Sequence, residues 1–121
     1  MRILYVDDCD TVRFLFPQPE AAPGAPVHAV REVVFVTTRA AAFNELARVS
    51  FDAVVLDLGL PDAPNPLTLA REIRAKHAGR LIIASGNDRA PAIAEDPDVG
   101  AVWLMKPFGH LALRTALGLA A

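Results

Sequence analysis

A chain of 121 residues is long enough to bury one core and too short for two. Its 53 % hydrophobic and 21 % charged residues exclude a disordered chain. Twelve basic residues against fourteen acidic ones give a net charge of −2, with no run of Lys or Arg, so nucleic-acid binding has no electrostatic support.

Residues 2–6, Arg-Ile-Leu-Tyr-Val, form a short apolar run that ends at Asp7 and Asp8, the pattern of a buried parallel strand with acids at its C-terminal end. Cys9 is the only cysteine, which excludes an internal disulfide; it reads as a small apolar filler. Residues 11–16 start a helix that Pro17, Pro19, Pro23 and Pro26 break off, because a proline inside a helix costs roughly 3 kcal/mol or more. Residues 27–32 fit either a helical turn or an early strand.

The second apolar run, 33–36, is β-branched and aromatic and ends at Thr37 and Thr38, either of which can cap a helix from 39 to about 49. Ala42, Phe43, Leu46 and Ala47 give that helix one apolar face. A third run, 53–56, ends at Asp57. The loop after it, with Pro61, Asn65 and Pro66, is stiff, and Pro66 suits a helix start. Residues 67–76 follow as a helix with Leu69, Ala70 and Ile73 inward.

A fourth run, 81–84, ends at Ser85, and a short helix over 92–96 lies between Pro91 and Pro97. A fifth run, 101–105, ends at Lys106. The final helix, 110 to about 119, is apolar on more than one face, which suggests burial or pairing. His28, His77 and His110 share no ligand spacing and read as surface residues. No charged-then-apolar leader and no apolar run near about 18 residues is present, so the expectation is a cytoplasmic protein without membrane attachment.

Five apolar strands alternating with helices predict an α/β fold: one doubly wound parallel sheet, covered on both faces, forming a single domain over 1–121. The crevice of such a sheet lies beyond the C-terminal strand ends, which gathers Asp7, Asp8, Asp57, Ser85 and Lys106 on one rim. Carboxylates brought together repel unless a cation joins them, and an all-oxygen set suits a hard ion, Mg2+ or Mn2+. A carboxylate there can attack a phosphoryl group while a lysine and a hydroxyl meet the phosphoryl oxygens. No His or Cys is placed as a hydrolytic base, so a turnover enzyme is not expected.

With Arg13 after Val-Asp-Asp at 6–8, Pro61 after Val-Leu-Asp-Leu at 55–58, Ala-Ser at 84–85 and Lys-Pro-Phe at 106–108, the chain resembles the CheY-like receiver domain of bacterial response regulators over essentially its whole length. The resemblance implies a flavodoxin-like, five-stranded sheet of order 2-1-3-4-5, here with a shortened, Pro-interrupted first helix. It implies Asp57 as phosphoacceptor and Asp8 as direct metal ligand. Asp7 would act through metal-bound water, and the backbone carbonyl of Gly59 would complete the ligands. Ser85 would be the switch hydroxyl, Lys106 the phosphate-pairing cation, and the peptide before Pro107 cis. Gly59 and Asn87 occupy positions that tune phosphoryl lifetime in the family.

The implied partners are a histidine kinase or phosphotransfer protein and a downstream protein. A homodimer through the fourth helix, fifth strand and fifth helix is a further expectation. With no output domain encoded, a stand-alone response regulator would act by binding or as a phosphoryl sink. Trp103 replaces the usual switch tyrosine or phenylalanine, as a moving gate or a structural or interface residue. Together with the broken first helix it motivates an alternative, a phosphorylation-independent interaction module. A metal-dependent aspartyl phosphatase shares the chemistry but needs an acid where Gly59 stands.

Overall fold

The apolar runs become strands, and the residues that punctuate them end or begin helices. The computed structural model describes residues 1–8, 32–106 and 108–118. Its elements are β1 (Arg2–Val6), β2 (Glu32–Val36), α1 (Arg39–Arg48), β3 (Ala53–Leu56), α2 (Pro66–Lys76), β4 (Arg80–Ser85), α3 (Ala90–Glu95), β5 (Val102–Met105) and α4 (His110–Ala116). The five strands are parallel in the order β2-β1-β3-β4-β5, as expected.

Every residue from Ile3 to Val6, from Ala53 to Leu56 and from Leu81 to Ala84 is buried, although side chains alternate between the sheet faces. Leu4, Val6, Val54, Leu56, Leu81 and Ile83 pack with Ala42 of α1, Leu69, Ala70 and Ile73 of α2, and Ala90, Ile93 and Ala94 of α3. On the opposite face Ile3, Tyr5, Ala53, Val55, Ile82 and Ala84 pack with Leu113, Ala116 and Leu117 at the end of the chain. Both faces being covered explains why the central strands show no hydrophobic alternation.

Helix boundaries follow from local chemistry. Thr38, the second of the two candidates, caps α1 by accepting the Ala41 amide at 3.1 Å. Asn65 caps α2 by accepting the Thr68 amide at 3.1 Å, with Pro66 in the first turn, where its missing N–H is not needed. At the other end of α2, the Arg74 guanidinium donates to the carbonyls of Val99, Gly79, His77 and Gly100, tying the helix to two loops.

Several expectations are corrected. Ala47 is exposed, so the inner face of α1 is narrower than its apolar pattern. The edge strands β2 and β5 are only partly buried, having a neighbour on one side only. Pro91 lies inside the first turn of α3 rather than ahead of it. His77 is no surface residue: it is 5 % exposed, and its Nε2 bonds the Arg80 carbonyl at 2.8 Å. The expectations for Cys9, Arg13, the proline-broken first helix, residues 17–31, His28, the peptide before Pro107 and Leu119 lie outside the described residues. No helix among the described residues is long and apolar enough to cross a membrane.

Candidate functional site

Register brings the acids together. Val6 of β1 pairs with Leu56 of β3, and Ser85 of β4 pairs with Met105 of β5. Sheet hydrogen bonding runs one residue past the strand ends: the Asp7 amide donates to Val36 at 3.0 Å and the Asp57 amide to Val6 at 2.8 Å. Both aspartates therefore stand on fixed backbone at the sheet's C-terminal edge. Asp7 is 2 % and Asp57 7 % exposed, whereas Asp8 is exposed.

One carboxylate oxygen from each of Asp7, Asp8 and Asp57 lies within 4.8 Å of the other two. Lys106 Nζ reaches in from the end of β5, 2.5 Å from Asp7 Oδ2 and 3.5 Å from Asp57 Oδ1. Among the described residues, the Lys106 ammonium thus meets two of the three clustered carboxylates. Burial, the largest influence, lifts the Asp57 carboxyl above its ordinary range; Lys106 opposes, Asp7 adds, the Gly59 amide opposes and Asp8 adds. Burial pulls the Lys106 ammonium down, but its bond to Asp7 and the charges of Asp57 and Asp7 leave it raised. Behind them the Tyr5 phenol, stacked on Phe35, is also raised, first by burial and then by Asp7 and Asp57.

This donor set fits a hard divalent cation. All its ligand atoms are oxygen, and negative charge exceeds positive among the clustered side chains, the donor chemistry that a hard ion such as Mg2+ or Mn2+ takes while keeping part of its water. Gly59 borders the cluster: a Cβ there would stand 3.5 Å from Asp57 Oδ2, and its backbone N–H favours the charged form of Asp57.

Ser85 is buried, and its Oγ accepts the Asn87 amide at 3.0 Å, which leaves the hydroxyl hydrogen for an acceptor in the crevice. Asn87 in turn accepts the Arg89 amide through Oδ1 and the Ala90 amide through its carbonyl, linking Ser85 to the start of α3. Half-buried Trp103 donates its indole N–H to the Ser85 carbonyl at 3.3 Å.

Asp7, Asp8, Asp57 and Lys106 therefore form one cluster, Gly59 borders it, and Ser85 and Trp103 adjoin it through β4 and β5. Sequence reasoning missed Asp62. Its carboxylate accepts the Arg39 amide at 2.7 Å and the Ala40 amide at 3.1 Å, from a helix 23 and 22 positions earlier. Only its place after Pro61 in a turn hinted at a role.

No protein-family model matches the chain, and no curated protein matches it either. Solved structures do. Chemotaxis protein CheY4 of Vibrio cholerae is 21 % identical over 97 % of this chain and 95 % of its own, with a TM-score of 0.71. A CheY-like response regulator receiver domain protein from Methanospirillum hungatei JF-1 is 21 % identical over 97 % and 90 %, at 0.74. A LuxR-family two-component response regulator from Aurantimonas sp. SI85-9A1 is 25 % identical over 97 % and 81 %, at 0.70.

Proposed function

With the fold of CheY-like response regulator receiver domains as the starting point, we propose that this chain is a single receiver unit that accepts a phosphoryl group on Asp57. The observation that carries the reading is the cluster of Asp7, Asp8 and Asp57 oxygens facing Lys106 Nζ at the C-terminal edge of the sheet.

The donor would be a phosphohistidine on a histidine kinase or phosphotransfer protein. An Asp57 carboxylate oxygen attacks phosphorus; the new P–O bond forms as the P–N bond breaks, and the departing imidazole takes a proton from water. Asp7, Asp8, Asp57 and the Gly59 carbonyl would hold Mg2+ or Mn2+, which supplies charge neutralisation at the phosphoryl oxygens. Lys106 shifts its ammonium from Asp57 to those oxygens, and Ser85 donates its hydroxyl hydrogen to one of them. Deprotonated Asp57 needs no base, consistent with a signalling domain rather than a turnover enzyme.

Movement of Ser85 would disturb both residues bonded to it, Asn87 at α3 and Trp103 on β5. Val102, Met105 and Leu111 are exposed apolar residues of β5 and α4, and we assign the responsive contact to that side, with a downstream protein or a second copy as occupant.

Acetyl phosphate or beryllofluoride with Mg2+ tests the proposal. With acetyl phosphate, wild type should gain one acid-stable, base-labile phosphoryl group by intact mass, acetate being the leaving group, and Asp57→Asn none; light scattering of the beryllofluoride sample, in which nothing is transferred, reports whether the second copy is the occupant. Equal labelling of the variant, or none of wild type, would falsify the assignment.

A further inference from the structure

The loop after Asp57 is held at a point no sequence pattern marks. Leu58, Leu60 and Ala63 are buried, and the Ala63 amide donates to the Leu60 carbonyl at 3.2 Å, closing a turn with Pro61 in its second position. The turn aims Asp62 at the amino end of α1. A helix begins with four amides that lack an intrahelical acceptor. In α1 three of these are met by side chains: Arg39 and Ala40 donate to Asp62 and Ala41 to Thr38 Oγ1, after which Ala42 makes the first ordinary helical bond, to the Thr38 carbonyl.

Thr38 satisfies one amide, that of Ala41, from within α1's own chain segment. Asp62 satisfies two more, those of Arg39 and Ala40, from a separate loop, and so joins that loop to the helix. The two amides hold the Asp62 carboxyl below its ordinary range, in keeping with a charged acceptor. Arg39 adds a second tie from the same helix turn, pairing with Glu72 of α2 at 2.6 Å while lying over the Phe43 ring.

Three residues before Asp62 is Gly59, whose backbone lies so close to Asp57 that a Cβ there would stand 3.5 Å from Asp57 Oδ2. We propose that Asp62 is a positioning residue for the cation site: by clamping the turn over residues 60–63 to the amino end of α1, it holds Gly59 against Asp57. The inference rests on the reading that Asp57 and the Gly59 carbonyl share the divalent ion. Asp62 itself touches neither the ion nor the phosphoryl group. It limits the freedom of a ligand-bearing loop, the kind of outer support whose loss weakens metal binding.

Mg2+ affinity, read by Trp103 fluorescence and checked by Mn2+ paramagnetic resonance, tests this in the full chain. Asp62→Ala should weaken binding on the order of tenfold. Asp62→Asn keeps an oxygen acceptor and removes the charge, and should stay within about twofold of wild type. Thr38→Ala removes the other cap of α1 without touching the loop and should leave affinity unchanged, although it destabilises the helix. If Asp62→Ala does not fold, Asp62→Ser takes its place.

Wild-type affinity in Asp62→Ala would overturn the inference. So would an equal loss in Asp62→Asn, which would make the effect one of charge, or in Thr38→Ala, which would make it one of helix stability. A wild-type protein that binds neither ion removes the proposed function as well; a wild type that binds, with variants that match it, removes only the role of Asp62.

Discussion

Replacing the proposed phosphoacceptor is expected to stabilise the fold. In Asp57→Asn the shape of the side chain is kept and its charge is lost. At an effective dielectric constant of about 20, Lys106 Nζ at 3.5 Å attracts Asp57 by about 5 kcal/mol, and a carboxylate oxygen within 4.8 Å repels it by about 3.5 kcal/mol or more. Lys106 is shared with Asp7, and Asp8 adds a solvent-screened repulsion, so these terms come close to cancelling. Burial then decides the sign, in agreement with the raised Asp57 carboxyl. An ion withdrawn from water costs several kcal/mol, part of which the Gly59 amide offsets, and a net gain of about 1–2 kcal/mol for the variant is expected.

The gain has a pH signature. Asp57 takes up its proton more readily folded than at the ordinary value of 3.8. The cost of its charge is therefore fully present above the folded value and is relieved as pH falls towards 3.8. The advantage of Asp57→Asn should be complete at neutral pH and close on acidification. Saturating Mg2+ should narrow or reverse it, since only wild type keeps the full ligand charge. Urea unfolding in the presence of a chelator, followed by far-UV circular dichroism and Trp103 fluorescence, should show a higher midpoint with an unchanged slope. A variant no more stable than wild type at neutral pH without metal would refute the argument that burial outweighs Lys106.

Two further predictions concern the opposite end of the sheet. Burial is the main cause that lowers the His77 pKa below 6.5, with the Arg80 carbonyl opposing, Arg74 adding and Asp52 opposing. The unfolded chain therefore binds the proton more readily, and stability should fall as pH drops below 6.5; the melting temperature of His77→Gln should lose that component, and parallel profiles would count against it. Arg74→Met keeps the aliphatic stem but strips four backbone carbonyls of their donor, and should lower stability by about 2–3 kcal/mol in urea unfolding; a loss below about 0.5 kcal/mol would mean that water replaces the guanidinium freely.

Much of the frame was legible because its signals are local. Apolar runs that end at Asp7, Asp57, Ser85 and Lys106 became strands ending within a residue of those positions. Leu69, Ala70 and Ile73 are the buried residues of α2, as their spacing predicts. Asn65-Pro66 could be read as a helix start because a cap and a first-turn proline act within a few residues. The burial of His77 could not be read in this way. Its neighbours in sequence, Ala75, Lys76, Ala78 and Gly79, form no apolar run, and its ring is enclosed at the turn between α2 and β4, against Gly79 and the Arg80 carbonyl.

Strand periodicity and the residues at strand ends were written along the chain, since backbone geometry and side-chain alternation act over short spans. Partnership across space was decided only on folding. Lys106 meets Asp7, 99 positions earlier, because parallel register aligns the strand ends, and Asp62 finds α1 because a buried turn points it there. Such contacts depend on how layers stack and on which edge each loop crosses, and a linear pattern carries neither quantity.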